Sequence, residues 1–107
     1  MDAQLKRGLL ENWVLASMLH ENTYGYKLIR DVSPYIEISE STLYPILKRL
    51  ETAAYLTVQS AEHNGRLRKY YSITDAGRAQ IAAFLDDWRS ILKVSEYIEG
   101  EYHRDKE

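Results

Sequence analysis

Five basic side chains lie between residues 45 and 69 of this sequence, opposed by two acidic ones, Glu51 and Glu62. A local excess of positive charge is what contact with phosphate requires, and it matters more than the net charge of the whole chain, which is −2. This segment therefore permits binding to nucleic acid. The basic residues are Lys48, Arg49, Arg66, Arg68 and Lys69.

Groups that could support catalysis or metal binding are scattered along the chain. The three histidines, His20, His63 and His103, lack the spacing of metal ligands, and there is no cysteine. Asp86 and Asp87 are neighbours, so on a helix they point about 100° apart and do not form a carboxylate pair. No glycine-rich phosphate loop follows a strand pattern. The sequence predicts a protein that is not an enzyme and that uses neither a metal nor a cofactor.

Length and composition indicate an ordinary globular protein. The chain has 107 residues, of which 45% are hydrophobic and 28% are charged. This suits one domain, or one domain with an appendage, whose small core a second chain could enlarge. No apolar run approaches the roughly 20 residues of a membrane span, and no signal peptide opens the chain. We expect a cytoplasmic protein without a membrane partner.

Hydrophobic periodicity predicts three helices in the first half of the chain. The first covers residues 5–20, and the second covers residues 24–32 with Thr23 as its N-cap. The third runs from Ser39 or Ser41 to about residue 54. Its apolar residues form a narrow inward stripe, which leaves the opposite face free for binding. That stripe consists of Leu43, Ile46, Leu47 and Leu50.

Two β-prone runs follow, at residues 55–62 and 67–73, with the sequence His-Asn-Gly-Arg at residues 63–66 between them. Asn-Gly between such runs is the strongest short-range hairpin signal, because a type I′ turn needs positive φ at both central residues. We expect a β-hairpin here.

A last helix is predicted from a Thr74 cap to about Tyr102. Its apolar residues recur every three or four positions, interrupted at Ser95, over a length too great to lie wholly on so small a body. This pattern is typical of a helix that pairs with another helix. We therefore divide the chain into a DNA-binding domain at residues 1–77 and a dimerisation helix at residues 78–107. The expected dimer interface comprises Leu9, Trp13, Ile81, Leu85, Trp88, Leu92 and Ile98.

Three helices followed by a hairpin predict a mainly α (α+β) winged helix-turn-helix with a long C-terminal helix. The third helix can enter the major groove with Thr42 and Tyr44, while Arg66 on the hairpin reaches the flanking backbone or minor groove. Two alternatives remain at this point. The basic side chains of the third helix could be a solvated surface, or the domain could be a protein-interaction module without specific DNA binding, which the low net charge favours and the basic hairpin disfavours.

Three segments resemble the PadR family of transcriptional regulators: YGYKL at residues 24–28, STLYPILKRLE at residues 41–51 and RKYYSITDAG at residues 68–77. The opening RGLL at residues 7–10 resembles the first helix of that family, and the single short final helix resembles its short subgroup. The resemblance implies a dimeric winged-helix repressor, commonly of detoxification or efflux genes. With the charge pattern, it predicts DNA contacts by Tyr24, Lys27, Ser41, Thr42, Tyr44, Pro45, Lys48, Arg49, Arg66, Arg68 and Lys69.

One position departs from the pattern of that family. The family usually has glycine after Leu-Glu, near position 54, where this chain has Ala54. Alanine does not adopt positive φ cheaply, so we expect the third helix to end differently and the wing to tilt.

Trp88 is the candidate ligand contact, because it lies close to a position that the resemblance associates with aromatic ligands in some short members. The alternative is an interface anchor, since aromatic residues are favoured in dimer cores. Trp13, Phe84 and Ile91 would wall the site, and nearby acidic residues on the helix favour a cationic guest. The expected partners are thus double-stranded DNA, a second copy of the chain and a small aromatic effector.

Overall fold

The computed structural model describes residues 1–104 as four helices and one β-hairpin. The order of elements and the winged helix-turn-helix class predicted from the sequence are confirmed. The first helix ends at Ala16 rather than at His20, because residues 17–20 form turns. In chain order the elements are α1 (Ala3–Ala16), α2 (Gly25–Val32), α3 (Glu40–Thr52), β1 (Leu56–His63), β2 (Arg66–Ile73) and α4 (Asp75–Arg104).

One apolar core joins α1, α2 and α3 to the base of the hairpin. Leu15 from α1 and Leu28 from α2 are fully buried, and the four residues of the predicted inward stripe of α3 are buried, at 7% exposure or less. Burying one leucine side chain contributes about 1.5–3 kcal/mol. The stripe therefore fixes the rotation of α3 and leaves its opposite face outward.

Thr23 does not cap α2, contrary to the expectation from its residue type. Its backbone N–H donates to the carbonyl of Tyr71 at 3.1 Å, and the N–H of Tyr71 donates back to the carbonyl of Thr23 at 2.8 Å. Thr23 is 1% exposed, and Tyr24 occupies the N-cap position instead. The reciprocal bridge ties the start of α2 to the hairpin, a long-range pairing that local capping preferences do not reveal.

The expectation that Ala54 would change the end of α3 is wrong. Ala54 adopts a φ of 64° and forms the hydrogen bonds of a Schellman motif. The N–H of Tyr55 donates to the carbonyl of Leu50 at 2.9 Å, and the N–H of Ala54 donates to that of Glu51 at 2.9 Å. The motif thus holds an alanine in the left-handed region, at a strain of about 1–2 kcal/mol.

The hairpin matches the sequence prediction, with strand ends shifted by one residue. β1 and β2 pair antiparallel in continuous register, from the Leu56–Ile73 pair to the His63–Arg66 pair at the tip. Asn64 and Gly65 have φ of 52° and 79°, as a type I′ turn requires.

Thr74 joins the end of α3 to the start of α4. Its hydroxyl accepts from the N–H of Gly77 at 3.0 Å, which confirms the predicted cap, and donates to the carbonyl of Ala54 at 2.7 Å. A Cβ on Gly77 would overlap the carbonyl oxygen of Tyr55. Glycine therefore allows α4 to approach the chain at the end of α3 closely.

Beyond its base, α4 leaves the body of the molecule. Ile81 packs partly against the core, and Phe84 and Trp88 are half-buried. Every described residue from Arg89 onward is exposed. No helix within residues 1–104, including the 30-residue α4, is long and apolar enough to cross a membrane.

Candidate nucleic-acid interface

The outward face of α3 carries Ser41, Tyr44, Pro45 and Lys48, all exposed. At 100° per residue, Ser41, Pro45 and Lys48 lie opposite the buried stripe. Lys48 is 78% exposed and lies 3.8 Å from the carboxylate of Glu51. An ion pair as exposed as this one is weak in water. The ammonium of Lys48 is therefore available to a phosphate.

The first turn of α3 carries a cluster of hydroxyl groups. The side chain of Ser39 does not cap the backbone. Instead its hydroxyl shares hydrogen bonds with those of Ser41, at 2.9 Å, and Thr42, at 3.2 Å. Hydroxyl donors at the positive end of a helix dipole are suited to phosphate oxygens.

Tyr44 extends from α3 toward the start of α2. A Cβ on Gly25 would lie 2.6 Å from the hydroxyl of Tyr44, so any side chain there would push the phenol aside. Gly25 therefore makes room for Tyr44, which is 47% exposed. This gives a physical role to the glycine of the YGYKL segment that the sequence pattern singled out.

The middle of the wing carries an aromatic and cationic stack. The guanidinium of Arg68 lies 4.1 Å from the ring centroid of Tyr24, within range of a cation–π interaction. Tyr24 also meets Tyr70 edge to face, with centroids 5.9 Å apart. The half-buried Arg68 thus fixes the wing against α2, whereas Arg66 and Lys69 are exposed.

These elements enclose a groove of about 500 Å³ between the start of α2, Tyr44 and the wing. Three cations and no carboxylate of the described residues line it. Tyr71, which is 5% exposed, also lines it, and burial raises the pKa of its phenol, so the hydroxyl stays neutral. The lining residues are Tyr24, Gly25, Tyr26, Tyr44, His63, Asn64, Arg66, Leu67, Arg68, Lys69 and Tyr71.

Six predicted contacts do not line this groove: Lys27, Ser41, Thr42, Pro45, Lys48 and Arg49. Two of these, Arg49 and Lys27, are held by carboxylates outside α3. Arg49 lies on the α1 side of α3 and forms an ion pair with Glu11. Lys27 donates to Glu21 at 2.5 Å; the hydrogen bond raises the pKa of Lys27 and lowers that of Glu21. Helical periodicity marks such residues as exposed but does not reveal partners that only the fold brings near.

Six residues that line the groove were not predicted as DNA contacts: Gly25, Tyr26, His63, Asn64, Leu67 and Tyr71. Two of them, Tyr26 and Leu67, have large side chains that face solvent. Both are prominently exposed, at 71% and 80%. Tyr26 lies within the YGYKL segment, so the segment itself was a usable signal. Leu67 follows Arg66 at the tip of the wing, and its apolar type gave no reason to place it among cations.

Comparison with known proteins is consistent with this geometry. The profile of the Transcriptional regulator PadR-like family matches residues 14–83, a stretch that contains α2, α3 and the whole wing. The chain belongs to the PadR-like family. The resemblance seen in the sequence is therefore confirmed, and this PadR-like protein is a DNA-binding transcriptional regulator rather than an enzyme.

Individual relatives match this chain along nearly its full length. A solved structure from Streptococcus mutans UA159 is 39% identical, with a TM-score of 0.76, and the match covers 92% of this chain and 90% of that one. A PadR family transcriptional regulator from Eggerthella lenta is 30% identical, with a TM-score of 0.80 and coverage of 89% and 85%. A transcriptional regulator of Mycobacterium tuberculosis is 29% identical over 102 residues, which are 94% of this chain and 92% of that protein.

The aromatic residues predicted for an effector site belong to two different ring pairs in this PadR-like protomer. Phe84 and Trp88 stack on α4 with ring centroids 6.0 Å apart, and Ile91 is exposed beyond them. Trp13 contacts Tyr35 instead, with centroids 4.8 Å apart. The ring partner of Trp13 therefore lies in the segment that follows α2.

Proposed function

We propose that this PadR-like regulator is a cytoplasmic repressor that binds an inverted-repeat operator as a homodimer. The observation that carries the DNA contact is the groove beside α3, which Arg66, Arg68 and Lys69 line without a carboxylate of the described chain. Lys48 lies outward on the adjoining helix. Together they present one cationic surface, on which α3 enters the major groove and the wing lies along the backbone.

The distal part of α4 supports the dimer. Its apolar residues follow a heptad pattern in which the polar Ser95 takes one inward position, as single polar residues do in coiled coils. Ile91 and Ile98 are 49% and 59% exposed in the protomer. A second copy of α4, joined by Leu9 and Trp13 of α1, would bury this stripe. The inward positions are Ile81, Phe84, Trp88, Ile91, Ser95, Ile98 and Tyr102, and the predicted interface residues Leu85 and Leu92 flank them.

A two-fold dimer presents two copies of α3 to one face of the DNA. Its operator would then be an inverted repeat with half-sites about one helical turn, roughly 10 bp, apart. Repression follows if the operator overlaps a promoter, because the bound dimer blocks access to it.

Salt-dependent binding to the promoter DNA of its own gene tests the DNA contact. Lys48→Ala and Arg66→Ala should each weaken binding and reduce the slope of log affinity against log salt by about 1.8, because each of the two protomers loses one phosphate contact worth about 0.9. Lys93→Ala is the matched control, because Lys93 is exposed on the side of α4 opposite the apolar stripe. If both test variants kept the DNA affinity and the salt slope of the wild-type protein, the proposed DNA contact by α3 and the wing would be rejected.

A small aromatic effector at the dimer centre is a second proposal, supported by the stacked Phe84 and Trp88. In a dimer, Trp88 and its two-fold mate would either pack together or sandwich a flat cation beside Asp87 and Glu96. Trp13 and Ile91 are proposed walls. In a Trp13→Phe background, planar aromatic cations should quench the remaining Trp88 fluorescence. If these cations do not quench the fluorescence, and if their affinity is the same for the Trp88→Ala variant, Trp88 is an interface anchor and not a ligand contact.

A further inference from the structure

A second groove, here the α1–α3 groove, lies between the N-terminal part of α1 and the side of α3. Its volume is about 490 Å³ and its floor contains Leu10, Pro45 and Ile46. Leu10 and Ile46 are 2% and 7% exposed, so they belong to the core and hold the floor in place. An apolar concavity of this size bordered by a few polar groups is typical of small-molecule sites.

The border of the α1–α3 groove is cationic. Lys6, Arg7 and Arg49 line it. Glu11 accepts a hydrogen bond from Arg7 at 3.2 Å and also pairs with Arg49, and no other carboxylate of residues 1–104 pairs with these three cations. Two guanidinium groups thus share one carboxylate next to an apolar floor, an arrangement with an unmet capacity for a second anion.

We propose that the α1–α3 groove binds an amphiphilic carboxylate. Its hydrocarbon body would lie on Leu10, Pro45 and Ile46, and its carboxylate would replace or join Glu11 at Arg49. A neutral ligand could not form charge-assisted hydrogen bonds with the guanidinium groups, and a cationic ligand would be repelled by the basic side chains at the border.

This site is separate from the dimer interface proposed above. At 100° per residue, Leu9 points about 100° or more around α1 from Leu10 and Ala3, which face the groove. Pairing through Leu9 and the distal α4 therefore does not require the groove, and Trp88 is not part of it.

The regulatory consequence rests on the proposed function. Thr42, Pro45 and Arg49 all line the groove and all belong to α3, so a guest covers one side of the helix that enters DNA. A ligand shifts an equilibrium only through its different affinities for two states. Since the guest and the DNA would compete for this side of α3, the carboxylate should weaken operator binding.

Calorimetric titration of the full chain, without DNA, tests the site with octanoate, octanol and octylammonium. Octanoate should bind at least about tenfold more tightly than either other compound. Arg49→Gln should remove about tenfold of the octanoate affinity and leave that of octanol unchanged, and Lys48→Gln on the neighbouring face is the matched control. Ala3→Phe should fill the groove and abolish binding, whereas Gln4→Phe places the same ring one position further along α1 and should not.

Amide chemical shifts give the location, which should be residues 3–10 and 42–49. Equal affinity for octanoate and octanol, or shifts confined to α4, would overturn the proposal. So would an Arg49→Gln variant that loses DNA affinity while it keeps octanoate affinity, because the groove would then belong to the DNA interface. DNA binding measured without octanoate tests the proposed function by itself, so the two failures are distinguishable.

Discussion

The body of the protein, residues 1–88, and the distal part of α4, residues 89–104, place similar apolar side chains in opposite environments. Leu28 and Leu47 in the body are 0% and 2% exposed, whereas Ile91 and Leu92 on α4 are each 49% exposed. The body buries its apolar residues within one chain. No other segment of residues 1–104 packs over the apolar stripe of the distal helix. The stripe therefore resembles one side of an interface between two chains.

This contrast assigns the two proposed functions, DNA binding and pairing, to different parts of the chain. The surface proposed to meet DNA lies entirely on the body, because the groove and the outward face of α3 use residues between 24 and 71. The proposed pairing depends mainly on α4. Thr74 links them, through its hydrogen bonds to Ala54 and Gly77, so the direction of α4 is fixed relative to the end of α3.

The largest expected effect is on pairing. Ile91→Glu with Ile98→Glu places two charges on the inward side of the proposed helix pair, and each buried, unpaired charge costs several kcal/mol. We expect the dimer dissociation constant to rise by more than about a thousandfold, measured by sedimentation equilibrium. The body should stay folded, which the circular dichroism spectrum would show.

The matched control shifts both charges by one residue. Ser90→Glu with Tyr97→Glu adds the same charge to the same helix, at positions turned about 100° around it from Ile91 and Ile98. This control should remain dimeric. Equal dissociation of both double variants would show that charge on α4, rather than its apolar stripe, governs pairing.

The next effect compares a buried with an exposed leucine in the monomeric Ile91→Glu/Ile98→Glu background. Leu28→Ala should lower the free energy of unfolding by about 2–5 kcal/mol, because it leaves a cavity in the core. Leu92→Ala should change it by less than about 0.5 kcal/mol, because Leu92 is exposed in the protomer. Urea unfolding of both variants measures this, and similar losses would remove the distinction between the two regions.

The smallest effect concerns the junction between the regions. Ala54→Gly should raise the free energy of unfolding by about 1 kcal/mol, because glycine adopts the φ of 64° without strain. Ala53→Gly is the control; Ala53 has a φ of −77°, so glycine there should lower stability by up to about 1 kcal/mol. Changes of the same sign in the two variants would contradict the strain assigned to Ala54.

The sequence predicted those features that depend on neighbouring residues. Asn64-Gly65 sufficed for the hairpin, since its turn type is a local property, and the stripe from Leu43 to Leu50 sufficed for the orientation of α3. The family was predicted from motif segments of the same local kind.

Features that depend on contacts distant in sequence were not predicted. Thr23 has a capping residue type, yet its backbone pairs with Tyr71. Ala54 is a different case: the hydrogen bonds that hold it at positive φ are local, and its residue type argued against that conformation. Helical periodicity marks Arg49 as exposed, but it could not reveal the ion pair with Glu11, which lies on another helix; the DNA contact of Arg49 stays a prediction. The residues proposed for dimerisation and for the effector remain predictions, because they concern contacts between two chains or with a ligand.

Selection of bound sequences from a random DNA library, followed by native mass spectrometry of the selected complex, tests the central claim most directly. We expect an inverted repeat with half-sites roughly 10 bp apart, occupied by two protomers. The Ile91→Glu/Ile98→Glu variant should bind it far more weakly than the wild-type protein does. An unsymmetrical site occupied by a single protomer, and bound equally well by that variant, would contradict the account.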